Sequence, residues 1–150
     1  TRNDYALFAG WEGGQYETFH DRVFIVGFQG RVTAQFTNYR VTYSWGIRAG
    51  QPIRFLEPQV SLKIVSLTAG IQSQFLWHTE TQRQHIFTLT YDFTPALSLG
   101  GRFVWREEQG NVYFALRRSG YAGTDLFVIL GDPNAERFQK RLIAKVIRPF

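Results

Sequence analysis

The sequence predicts an all-β chain, an antiparallel up-and-down arrangement of eight to ten strands, and three observations carry the prediction. Apolar and polar residues alternate with period two over long stretches, most clearly where Phe87, Leu89, Tyr91 and Phe93 interleave with Thr88, Thr90 and Asp92. The i, i+3, i+4, i+7 spacing of an amphipathic helix is missing, and β-branched and aromatic residues dominate nearly every segment. Turn-forming residues recur at strand-length intervals.

Taken in order, a first strand near residues 4–11 ends at Gly13-Gly14, and a second over 17–29 carries the apolar run Val23 to Phe28 and stops at Gln29-Gly30-Arg31. A third, over 32–47, alternates Tyr39, Val41, Tyr43, Trp45 and Ile47 with Arg40, Thr42 and Ser44, and Ala49-Gly50-Gln51-Pro52 closes it. The fourth and fifth strands, 52–64 and 66–78, are divided near residue 65, where Val60 to Leu67 holds no Gly, Pro or Asn; the count therefore stays open between eight and ten. The fifth sets Leu67, Ala69, Ile71, Phe75 and Trp77 against Thr68, Gln72 and Gln74. After the polar stretch Thr79 to Gln84, the sixth strand (83–93) turns at Thr94-Pro95-Ala96 into the seventh (97–108), whose Leu97, Leu99, Phe103 and Trp105 oppose Ser98, Arg102 and Arg106. Turns at Gln109-Gly110-Asn111, Ser119 to Thr124 and Gly131-Asp132-Pro133-Asn134 then bound strands at 111–119, 124–131 and 138–150. With no linker, low-complexity tract or repeat beyond the hairpin, residues 1–150 are expected to form one domain.

Composition narrows the function classes. Aromatic residues make up 17% of the chain and charged residues only 19%, so something apolar must cover those rings. The absence of cysteine excludes disulfide scaffolds, thiolate metal sites and thiol nucleophiles. Methionine is absent too, which suggests a processed mature chain or an excised fragment. The net charge of +5 invites a nucleic-acid partner, but the cations Arg22, Arg31, Arg40, Arg48 and Arg54 are scattered singly, with no stripe to follow a phosphate backbone. No window approaches the ~18 consecutive apolar residues of a spanning helix.

Alternating strands fit two opposite orientations: a soluble barrel buries its apolar face, whereas a membrane barrel exposes it to lipid. Side-chain volume favours the second, because ten faces of Trp, Tyr, Phe and Leu would overfill a small barrel's interior. The sequence thus predicts a transmembrane β-barrel of 8–10 strands. Its lipid-facing residues are Phe87, Leu89, Tyr91, Phe93, Leu97, Leu99 and Phe103, and its lumen charges are Arg40, Arg102, Arg106, Arg117, Arg141, Lys145, Asp92 and Glu108, with Asp21 a further partner. Trp11, Trp45, Trp77 and Trp105 each close an upward-running strand and are expected to form one interfacial rim, with the longer connections beyond it and short turns at the opposite end. On the last strand Phe138, Leu142, Ala144, Val146 and Phe150 share a face. The terminal Phe150 resembles the signal by which bacterial outer-membrane barrels are recognised for insertion, although Lys145, Arg148 and Pro149 depart from its commonest form.

The stretch Phe87-Thr88-Leu89-Thr90-Tyr91-Asp92-Phe93-Thr94-Pro95-Ala96-Leu97-Ser98-Leu99, followed by Arg117 through Tyr121-Ala122-Gly123-Thr124-Asp125-Leu126-Phe127-Val128, resembles the C-terminal barrel region of a large group of bacterial outer-membrane proteins. Those proteins carry an N-terminal domain similar to family 9 carbohydrate-binding modules, then a domain of unknown function that ends in membrane strands. Their second stretch usually runs Arg-Pro-Gly-Ser-Asp-Leu, which Gly120 to Leu126 matches in part. The likeness covers the C-terminal half well and the N-terminal half loosely, and it implies location and fold far more than activity.

Chemistry is sparsely signalled. His20 lies beside Asp21 and His78 near Glu80, with His85 beyond, and a His next to a carboxylate at a strand end can act as a base with its orienter. No Gly-x-Ser-x-Gly turn marks a nucleophile, and no two histidines have the spacing of two that would put both on one strand face for a metal. No catalytic residue, metal or cofactor is therefore assigned, and a membrane-embedded hydrolase or acyltransferase stays a minor alternative. The expected role is that of a structural component, anchor or interaction subunit in a Gram-negative outer membrane. Its expected partners are membrane lipid, lipopolysaccharide, the barrel-assembly machinery and other subunits, with no nucleic acid. A soluble lipocalin- or avidin-like ligand-binding barrel and a narrow, porin-like channel are the alternatives.

Overall fold

The computed structural model describes residues 4–15, 20–32, 37–120 and 123–148. These form ten antiparallel strands and no α-helix: β1 (Asp4–Gln15), β2 (His20–Val32), β3 (Thr37–Arg48), β4 (Gln51–Ile64), β5 (Leu67–Trp77), β6 (Thr81–Thr94), β7 (Leu97–Arg106), β8 (Gln109–Ser119), β9 (Asp125–Leu130) and β10 (Leu142–Ile147). The strands belong to one sheet in which spatial order follows sequence order from β1 to β10. Every connection is thus a hairpin. The chain divides into two compact units, one of Thr1–Leu62 with Ile71–His85 and the other of Lys63–Gly70 with Ile86–Phe150.

The strand count is ten rather than eight because the chain does turn at residue 65. Val65 and Ser66 form a two-residue turn between β4 and β5, with Val65 at φ 51°. A β-branched residue in the left-handed region is sterically costly, and with no Gly, Pro or Asn from Val60 to Leu67 the turn has no ordinary sequence signature. Glu107, at φ 54°, plays the same part in the two-residue turn Glu107-Glu108 between β7 and β8.

Several glycines expected to mark turns lie inside strands instead. Gly13 and Gly14 pair with Arg22 and Asp21 in the β1–β2 ladder, so β1 runs four residues past its expected end at residue 11. Gly30 pairs with Tyr5 on one side and Tyr39 on the other. A Cβ there would lie 2.3 Å from the Tyr39 hydroxyl and 2.8 Å from the Tyr5 ring, so glycine is what lets both tyrosines fold over the strand. Gln109 and Gly110 likewise belong to β8.

At the C-terminal end the strand expected over 138–150 is shorter, because residues 131–141 form a connection with its own bonding. Asn111, buried on β8, donates from Nδ2 to the carbonyls of Asp132 (2.9 Å) and Ala135 (2.7 Å), and Arg141 pairs with the Asp132 carboxylate at 3.0 Å. Phe138 therefore lies outside the strands. Connection length differs between the two ends only in part: the longest connection, residues 131–141, is at the Trp end, but β3–β4 and β7–β8 at that end turn in two residues, as β4–β5 does at the other.

Candidate functional site

Strand pairing sorts the side chains, since directly opposed residues share a face. In the first unit one face carries five rows running across β1 to β4: Tyr5–Gly30–Tyr39–Val60, Leu7–Phe28–Val41–Pro58, Ala9–Val26–Tyr43–Leu56, Trp11–Phe24–Trp45–Arg54 and Gly13–Arg22–Ile47–Pro52. The other face carries Asp4–Arg31–Asn38–Ser61, Ala6–Gln29–Arg40–Gln59, Phe8–Gly27–Thr42–Glu57, Gly10–Ile25–Ser44–Phe55 and Glu12–Val23–Gly46–Ile53. In the second unit the apolar rows are Gly101–Phe114–Leu130–Leu142, Leu99–Leu116–Val128–Ala144 and Leu97–Arg118–Leu126–Val146. Ser98–Arg117–Phe127–Lys145 lies on the reverse side, as does the pair Arg102 and Tyr113.

Burial distinguishes the two faces. The buried side chains are Val23, Ser44 and Ile53 in the first unit and Ile86 and Asn111 in the second. Each of these lies on the more polar face, Ile86 by alternation with Thr88, Thr90 and Asp92. The apolar face is the exposed one: Leu7 is 83% exposed, Trp11 74%, Leu89 52% and Phe93 53%. Among the described residues no large side chain is fully buried. Polar-face residues such as Arg40 and Gln59 are exposed as well, so what sets this chain apart is the number of large apolar side chains left uncovered.

Aromatic rings flank the apolar rows of the first unit. At one end Tyr5 stacks on Phe28 (6.2 Å) and Phe28 lies against Tyr39 (5.5 Å). At the other, Phe24 stacks on Trp45 (5.8 Å) and Tyr43 on Trp45 (5.5 Å). Tyr5 and Trp11 are six residues apart on one strand, about 20 Å at the rise of an extended chain. In the second unit Phe103 meets Phe87 (6.0 Å) and Trp105 (6.2 Å), and Tyr91 meets Phe93 (5.0 Å). Trp11, Trp45, Trp77 and Trp105 are all exposed, and Trp105 Nε1 donates to the Glu107 carbonyl. Of the expected lipid-facing residues, Phe87, Leu89, Tyr91, Phe93 and Leu99 are exposed, while Leu97 and Phe103 are half-buried.

Two of the expected lumen charges, Arg141 and Glu108, lie outside the strands, whereas Arg106 shares the face of Arg102. Arg40, Arg102, Arg117, Lys145 and Asp92 occupy the polar strand face, with the Arg40 guanidinium 5.0 Å above the Phe8 ring. Arg106 is the last residue of β7, Arg141 precedes β10, and Glu108 is in a turn because β7 ends before it. The carboxylate partners also differ: Arg48 pairs with Glu12 (3.2 Å) and Arg117 with Asp125 (2.9 Å), which also accepts from Ser119 (2.7 Å). Asp21 caps the β3–β4 turn by accepting from the Ala49 amide at 2.8 Å. Phe150 lies outside the described residues.

Neither His85 nor His78 hydrogen-bonds a carboxylate side chain among the described residues. His85 Nδ1 is 2.9 Å from Ser73 Oγ, with its ring edge-on to Phe75, but no carboxylate among the described residues orients the imidazole. His78 meets only Thr79, and no group of three or more metal-ligating side chains forms among the described residues. What sequence reasoning missed is a set of cations on the apolar face: Arg54 in the Trp45 row, Arg22 opposite Ile47, and Arg118 opposite Leu97. Alternation with Phe24, Val26 and Phe28 along β2 would have found Arg22, whereas Arg54 needed the β3–β4 register.

No known protein family, curated protein or solved structure matches this chain.

Proposed function

We propose that this chain is a bacterial outer-membrane β-barrel protein that serves as a structural component, anchor or interaction subunit. The observation that supports the reading is the inverted burial, with large apolar side chains exposed on one strand face and the buried residues on the polar one. In water that surface would aggregate, whereas in lipid it is the solvated one. The tyrosine and tryptophan rows bracket the apolar rows as aromatic girdles bracket the hydrocarbon band of a membrane barrel. Strands of 10 to 14 residues, such as β7 and β4, are long enough to cross a bilayer at a tilt.

The arrangement supports a structural role better than a channel or an enzyme. Arg40 over Phe8 and the Gln74–Glu57 bond (2.7 Å) fill the polar face with paired side chains. In lipid an unpaired strand edge costs several kcal/mol per backbone group, so β1 and β10, which end the strand order, each require a partner strand. The resemblance of residues 87–99 and 117–128 to outer-membrane barrel regions points to the same location.

The test is direct. The purified chain should require detergent for solubility, insert into lipid vesicles, and migrate differently on a gel before and after boiling. A chain that stays monodisperse without detergent and shows one mobility would sink the proposal and favour a soluble ligand-binding sheet.

A further inference from the structure

The apolar face of the second unit carries a cation at its end away from Trp105. Arg118 stands on β8 between Leu97 of β7 and Leu126 of β9, one row out from Leu99–Leu116–Val128–Ala144. That row lies at the strand ends: Leu97 opens β7, Leu126 is the second residue of β9, and Ser119, which follows Arg118, closes β8. Arg118 has no ion-pair partner among the described residues. The carboxylates between Thr94 and Leu130 are Glu107, Glu108 and Asp125. Glu107 and Glu108 form the β7–β8 turn at the opposite end of the strand. Asp125 is on the reverse face opposite Ser119 and is committed there, accepting from Arg117 at 2.9 Å and from Ser119 Oγ at 2.7 Å. Asp92 of β6 alternates onto that reverse face as well.

Arg118 lines an open recess of about 580 Å³ together with Thr94, Leu97, Leu116, Leu126 and Val128. Both side-chain polar groups of this lining are donors. One is the guanidinium; the other is the Thr94 hydroxyl, whose oxygen already accepts the Ala96 amide (3.2 Å) and keeps its own proton to give. They lie at the same margin, since Thr94 closes β6 and Arg118 is next to last in β8, whereas Leu116 and Val128 are one row further in. A cation on a lipid-facing surface is expensive at the bilayer centre and nearly free at headgroup depth, where an anion can meet it. An aliphatic trough with two donors at its outer margin is complementary to an acyl chain that ends in a phosphodiester, because a guanidinium grips phosphate bidentately and the leucines and valine cover methylenes.

We propose that this recess binds a single glycerophospholipid, with its phosphodiester on Arg118 and Thr94 and one acyl chain along Leu116 and Val128. The inference rests on the membrane reading above and deepens it from bulk lipid to a defined site. One guanidinium and one hydroxyl match one phosphate group, which favours a singly phosphorylated lipid over one that carries two. The headgroup end of the recess is the row at which β8 stops, and the chain runs from there toward mid-strand, so lipid and strand enter the bilayer together. The site is the same whichever leaflet this end of the sheet meets.

The test titrates the detergent-folded protein with dimyristoylphosphatidylglycerol and reads affinity and bound stoichiometry by native mass spectrometry. Parallel arms use dimyristoylglycerol, which has the chains without the phosphate, glycerol phosphate, which has the phosphate without the chains, and a diphosphorylated, acylated glucosamine lipid. The phospholipid should bind as a single copy, and the three comparison probes should each bind at least several-fold more weakly. Arg118→Gln should weaken phospholipid binding by about tenfold, whereas Arg102→Gln on the reverse face leaves it unchanged. Should Arg118→Gln lose the heat-dependent gel shift that reports folding, Arg118→Lys, which keeps the charge but not the fork, should still weaken binding several-fold. Equal affinity for dimyristoylglycerol or glycerol phosphate, equal or tighter binding of the diphosphorylated lipid, or unchanged affinity in the folded Arg118 variants overturns the inference. A wild-type chain that inserts into vesicles yet shows no preference for the phospholipid refutes this site alone; one that never inserts refutes the membrane reading.

Discussion

Placing arginine at Leu89 separates a lipid-facing surface from a water-facing one by magnitude. Leu89 lies mid-strand in β6, between Phe87 and Tyr91 on the same face, and is 52% exposed. In water, complete burial of leucine stabilises by about 1.5–3 kcal/mol. A half-exposed leucine therefore holds roughly 1 kcal/mol, and the arginine stem recovers part of that by lying along the neighbouring rings. Leu89→Arg in water should thus cost about 1 kcal/mol or less. At the midplane of a bilayer the same change costs about 2–4 kcal/mol, because the guanidinium must be carried into hydrocarbon. The two ranges do not overlap. The assay is equilibrium denaturant unfolding from lipid vesicles followed by tryptophan fluorescence, with Val65→Arg in the exposed β4–β5 turn as the reference, expected to shift stability by no more than about 0.5 kcal/mol. If Leu89→Arg behaves like Val65→Arg and inserts normally, the exposed apolar face is not in lipid and the argument from inverted burial fails.

Three further outcomes follow from local geometry. Gly46 has φ 154° and an added Cβ would sit 1.9 Å from the Arg22 carbonyl oxygen, so Gly46→Ala should destabilise by at least about 2 kcal/mol, read as a lowered unfolding midpoint; a neutral result would show that β2 and β3 are not paired in this register. Removing the Asn111 amide in Asn111→Ala deprives the Asp132 and Ala135 carbonyls of their donor and should cost about 1–3 kcal/mol while accelerating proteolysis within 131–141; unchanged cleavage would mean that the connection is held by other contacts. Replacing Val65, at φ 51°, in Val65→Gly should raise stability by about 1 kcal/mol, since glycine adopts that conformation freely; a loss would show that the valine side chain has a contact worth more than its strain.

Period-two patterning alone determined the all-β class, most strand centres and the membership of the apolar face, because a strand's side chains alternate whatever lies beyond it. Phe87 to Phe93 and Leu97 to Trp105 illustrate this: their alternation is local, and pairing of β7 with β8 leaves it intact. Strand ends were not legible in the same way. Gly13 and Gly30 have the composition of turns, yet they sit in ladders because Trp11, Tyr5 and Tyr39 need the space a side chain would fill. Val65 has the composition of a strand, yet the chain turns there because β4 and β5 must both pair. Alternation by itself is symmetric between a soluble and a membrane orientation, and it was the volume of the Trp, Tyr, Phe and Leu side chains that pointed to an outward apolar face. The tertiary structure adds that the buried residues Val23, Ser44, Ile53, Ile86 and Asn111 lie on the more polar strand face. The placement of Arg54 likewise depended on cross-strand register: hydrogen-bonded pairing sets it directly opposite Trp45 and puts Arg22 opposite Ile47, one row away.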